Sequence, residues 1–190
     1  MRNWLVAGVA GVAGAVTMFI WTSIAHVATP LGQTGFNQIP NEALVLTAMH
    51  DSIGDKSGLY FFPWVDMKSK TAMADEMAKM KINPSGLLLY HPPGAGAGMD
   101  PKMLVTEFVK EAITTLIAAF LLGQTLIASY AARVGFVSLI GFAAAITTNV
   151  SYWVWYSFPT DYTLAYAFTD FFGYVVAGLA IAAVLRKPAQ

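Results

Sequence analysis

The sequence predicts a mainly α membrane protein: a four-transmembrane-helix bundle with a small α+β extracytoplasmic loop domain between helices 1 and 2. Three observations carry this. Of 190 residues, 56% are hydrophobic and only 12% are charged, about half the share of roughly 25% usual in soluble proteins. Four apolar runs, 4–28, 104–130, 134–156 and 164–185, approach the roughly 20 residues needed to cross a bilayer. Between the first and second runs lies a polar stretch, 29–103, whose glycines and prolines bracket short apolar segments.

The first run reads WLVAGVAGVAGAVTMFIWTSIAHVA. It is longer than the apolar core of a signal peptide, about 7–15 residues, and a cut after Ala28 would put His26 where a small residue is needed. It therefore reads as an uncleaved anchor. The stretch 29–103 follows. Pro40-Asn41-Glu42 opens an apolar helical segment that Gly54 ends. GLYFFPW, 58–64, and GLLLYHP, 86–92, share a pattern of glycine, four apolar or aromatic residues and a closing proline. They are expected to pair as a small β-ribbon with the helices packed on it, because a two-stranded sheet alone is marginal. Between them, 67–80 reads as an amphipathic helix. The run PPGAGAGMDP, 92–101, is a connector; it lacks the ending and the strand-to-helix setting of a phosphate loop.

Basic residues near the spans set the orientation. Arg2 precedes the first, Arg133 falls in the expected turn between the second and third, and Arg186-Lys187 follow the fourth. An even number of spans puts all four on one side, the cytoplasm, with both termini. The loop FPTDYT, 158–163, has no Lys or Arg and belongs outside. So does 29–103, periplasmic or extracellular: its six lysines do not hold it back, because long loops translocate largely regardless of charge. Trp21 and the group Tyr152, Trp153, Trp155, Tyr156 and Phe158 are expected at the outer headgroup boundary, and Trp4 at the inner one.

Small residues punctuate the spans: Ala7, Gly11 and Ala15; Gly141, Ala144 and Ala145; Gly173, Ala177 and Gly178. They let helix backbones approach closely in lipid. Packing inside one bundle accounts for such faces, and so does docking on a partner chain or a second copy.

Chemistry is sparsely marked. With no cysteine, disulfides, thiolate metal sites and cysteine nucleophiles are excluded. The zero net charge gives no field for nucleic acid. His26, His50 and His91 have no metal-ligand spacing, so no metal and no cofactor is implied. Ionisable groups within the spans are the candidates, since lipid makes them costly. Glu107, Lys110 and Glu111 are helical neighbours at the opening of the second run. Glu111 lies about seven residues in, roughly 10 Å, and Asn149, Asp170 and Thr22 fall at a similar depth, with His26 above Thr22. Either these groups bond across helices and fix the bundle, with Lys110 neutralising Asp170 or Glu111, or they line a binding pocket.

The stretches IPNEALVL, GLYFFP, PSGLLLYHP and SYWVWYSFPTDYTL give the chain a resemblance to small multi-pass bacterial inner-membrane proteins of unknown function. The resemblance implies the topology and a place in the inner (plasma) membrane; it implies no activity. Three functions are open at this point: an accessory or structural subunit of a larger membrane complex, a ligand- or lipid-binding protein using the polar level, and a membrane enzyme with Glu111 or Asp170 as general base.

Overall fold

The computed structural model describes residues 4–96, 98 and 100–186. Arg2 and Lys187, two of the orienting basic residues, lie outside them, as do Ala97 and Met99 of the connector. The protein is mainly helical, with one two-stranded sheet. It divides into two compact units, a helical one and a smaller one, Asn37–Gly98.

The helical unit contains α1 (Trp4–Val27), α4 (Pro101–Gln124), α5 (Tyr130–Tyr156) and α6 (Thr160–Val184). α1, α5 and α6 are long and apolar enough to cross a membrane. α4 is as long as α1, at 24 residues, but Lys102, Glu107, Lys110 and Glu111 fall in its first half and make it less apolar. It begins at Pro101, where Asp100 caps it by accepting from the Lys102 amide at 2.8 Å, and its proline fits the first helical turn.

The junction of α4 and α5 differs from the sequence expectation. α4 ends at Gln124, and Ser129 caps α5 by accepting from the Ala132 amide at 3.1 Å. The connection is therefore 125–129, and Tyr130 to Arg133 form the first turn of α5 rather than a turn between spans. Near its far end α5 widens into a π-helical stretch, Ile146–Val150, before closing as α-helix to Tyr156. Ser157, in the left-handed conformation at φ 54°, then turns the chain into α6.

α1 packs along both α4 and α6, and α6 also packs along α5, whereas α4 and α5 meet little. Across the bundle the order is α4, α1, α6, α5. The core is built of Ala10, Met18, Ala118, Leu122, Val137 and Ile181, among others. The small-residue faces sit inside it. A Cβ added at Gly11 would lie 2.6 Å from Leu116 Cδ2, and one at Gly178 would lie 3.2 Å from Val137. Gly141 is covered by the Tyr174 ring. Residues 30–36 belong with the helices: Phe36 meets Tyr162 edge to face at 5.6 Å.

The smaller unit holds α2 (Glu42–Ile53), β1 (Gly58–Phe62), α3 (Ala72–Met80) and β2 (Gly86–Tyr90). β1 and β2 pair antiparallel, Gly58 opposite Tyr90 and Phe62 opposite Gly86, as their shared pattern predicts. Gly54 ends α2 at φ 69°, a conformation glycine takes without strain. The Tyr90 hydroxyl donates to the Gly54 carbonyl at 2.9 Å, and Lys79 Nζ donates to the Trp64 carbonyl at 2.7 Å. The helices do not pack on the ribbon as expected, however. α2 buries no residue and α3 buries only Ala72. Short strands of five residues offer too little face to cover two helices.

Candidate functional site

The sequence-level candidates separate into two interhelical clasps. The first joins α1 to α4. Gly11, Gly14 and Ala15 are buried on α1 and let α4 approach closely enough for side chains to meet. Thr115 Oγ1 donates to the Gly11 carbonyl at 2.9 Å. One turn earlier on α4, Glu111 is 0% exposed, and its Oε1 accepts from Thr22 Oγ1 at 2.8 Å. Its Oε2 is buried and has no hydrogen-bond partner among the described residues. Lys110 Nζ lies 4.0 Å from Glu111 Oε1 but pairs more closely with Glu107, at 2.7 Å, where both side chains are about half exposed. His26 Nδ1 lies 2.8 Å from the Thr22 carbonyl, and its ring meets Tyr166 edge-on at 5.8 Å.

The second clasp joins α5 to α6. Asn149 is buried in the π-helical stretch. Its Nδ2 donates to the Ala145 carbonyl at 3.0 Å and to Asp170 Oδ2 at 2.8 Å. Asp170 thus meets Asn149, one of the three partners expected for it. Lys110 turns to Glu107 instead, so the expected Lys110–Asp170 neutralisation is not formed. Between the clasps Trp21 Nε1 donates to the Thr169 carbonyl at 2.9 Å, and its ring packs on Phe168 and Phe172. Trp21 is therefore an interhelical contact.

Of the seven candidates, Thr22, Glu111, Asn149 and Asp170 share a level but not a site. Residue counting fixes height along a helix; the helix order decides which faces meet. α1 turns Thr22 to α4, and α6 turns Asp170 to α5. No hydrogen bond or ion pair joins Glu111 to Asn149 or Asp170 among the described residues.

Sequence reasoning missed Arg133. Read as a basic residue in a turn, it is a buried cation, 5% exposed, in the first turn of α5. It donates through Nη1 to the Ala128 carbonyl and through Nη2 to the Ala182 carbonyl at 3.2 Å. The signal was Ser129 four residues earlier, a strong N-cap type. No three His, Asp or Glu side chains are grouped to hold a metal ion among the described residues.

Fold and clasps together define a mainly helical protein of membrane type, with polar side chains bonded between its helices. Compared with known proteins, the chain finds no match in any protein-family model, curated protein or solved structure.

Proposed function

We propose that this protein is an accessory subunit of a larger membrane complex, anchored by its helices and docked on a partner chain through its smaller unit. The uncovered face of α2 carries this reading. Leu44, Val45, Ala48, Met49, Ser52 and Ile53 form one helical stripe along a shallow groove of about 410 Å³, while α2 buries nothing in its own unit. On α3, Met73 and Met77, one turn apart, are 74% and 59% exposed. Contiguous apolar surface of this kind marks an interaction site, and methionine adapts to a partner's shape. The small-residue helix faces are occupied inside the bundle, so docking rests on this unit. The test is gentle solubilisation with photo-crosslinkers at Leu44, Met73 and, as a polar control, Asp51. Crosslinks from Leu44 and Met73 to a co-purifying chain are expected; a protein that purifies alone and crosslinks only to lipid overturns the reading.

Four spans with both termini inside fit this role. α4 is about 36 Å long at 1.5 Å per residue, lies along α1, and hides its most costly group, Glu111, against it. Arg133 and Arg186 line the same end of the bundle, which supports that end as cytoplasmic. The inner-membrane setting rests on the resemblance.

A second reading, ligand binding at the first clasp, is favoured by one atom. Glu111 Oε2 is a buried acceptor without a donor among the described residues, and such groups call for an explanation. For general-base catalysis the geometry adds nothing: Glu111 has no exposed surface, and Asp170 is already held by Asn149.

A further inference from the structure

We propose that the end of the bundle at Arg133 binds a phosphate group carried by an anionic amphiphile. A cavity of about 320 Å³ opens there, where the start of α1, the end of α4, the start of α5 and the end of α6 converge. Its walls are partly apolar and aromatic, including Leu122, Leu185 and the stacked pair Trp4 and Phe120, whose ring centres are 5.5 Å apart. Its polar groups include Gln124, Arg133 and Arg186.

The two arginines have a local task. Arg133 Nη2 and Arg186 Nε donate to the Ala182 and Ala183 carbonyls, the last turn of α6, where cations complement the helix dipole. That task does not account for their charge. Carbonyl oxygens carry only partial charge, and the ion pairs among the described residues involve Lys110 alone. The sequence has no Asp or Glu before residue 42, between Glu111 and Asp161, or after Asp170, so none of the helix ends converging here carries an Asp or Glu side chain. Arg133 is 5% exposed, and its Nε is buried without a hydrogen-bond partner among the described residues. A buried guanidinium in that state is strongly unfavourable until an anion joins it.

The geometry names the anion's class. Arginine's planar fork matches phosphate oxygens, and two arginines over one cavity suit a single phosphate. The apolar walls suit an attached acyl or glyceryl portion better than water. Basic pockets between membrane helices bind anionic headgroups on this principle.

The test uses the full chain, delipidated in detergent and titrated with phosphatidylglycerol, phosphatidylcholine or inorganic phosphate, with native mass spectrometry as readout. Wild type should retain phosphatidylglycerol roughly tenfold better than phosphatidylcholine, and inorganic phosphate at equal concentration should not displace it. Arg186→Gln, an exposed position whose change leaves the bundle folded, should lose most of that preference. Arg133→Lys keeps the charge without the fork and should lose part of it. Equal retention of the two lipids, displacement by inorganic phosphate alone, or an unchanged preference in Arg186→Gln would each overturn the proposal.

Discussion

Asn149 Nδ2 donates to Asp170 Oδ2 at 2.8 Å from within the π-helical stretch of α5. The extra residue in each π turn shifts the helix face presented downstream, and such stretches recur at functional positions. Here the widening coincides with the residue that reaches across to α6. Asp170→Asn keeps an acceptor oxygen for this bond, so its effect on thermal unfolding in detergent should be small. Asp170→Leu removes the acceptor and should destabilise by about 1 kcal/mol. Equal effects of the two changes would show that the bond contributes nothing.

The Thr22–Glu111 clasp makes a sharper prediction, because Glu111 is fully buried. Thr22→Val removes the only hydrogen bond made by its carboxyl group among the described residues and should cost about 1–3 kcal/mol. Combining Thr22→Val with Glu111→Leu should recover part of that loss, since the stranded polar group is gone as well. Strictly additive melting shifts in the double-mutant cycle would refute the coupling.

Close approach of α1 and α4 depends on Gly11. A Cβ there would lie 2.6 Å from Leu116 Cδ2 and 2.8 Å from Leu116 Cα; the second atom is backbone and cannot step aside. Gly11→Leu should therefore lower stability by about 1–3 kcal/mol. Gly8, three residues earlier, has nothing among the described residues within 4 Å of its added Cβ, and Gly8→Leu should leave the melting point unchanged. A Gly11→Leu protein that melts like wild type would place α4 elsewhere.

Topology is open to a direct measurement. Reporter fusions within residues 37–96 and at the C-terminus should report opposite sides of the membrane. Both on one side would mean that α4 does not cross.

The helices were legible because lipid demands long apolar runs, and 4–28 and 164–185 needed only small changes at their ends. The strands were legible from glycine and proline at their borders. The α4–α5 junction was misplaced because Leu126, Ile127 and Tyr130 extend the apolar run, although Thr125 and Ser129 already end one helix and start the next. Hydropathy sees solvent preference; it does not see caps. Partner choice was the least legible property. Glu111, Asn149, Thr22 and Asp170 share a depth, but which helix stands beside which is a long-range property of packing.

The central seam of the bundle joins its first and last helices. Trp21 bonds to a carbonyl 148 positions away, and Thr17 to one 159 positions away. A ribosome adds about 5–20 residues per second, so α1 enters the bilayer on the order of ten seconds before α6 exists. α4 arrives first and meets one flank of α1, leaving the other against lipid. A chain stalled before residue 160 would thus have helices but no middle, and the bundle becomes whole only once α6 has been made.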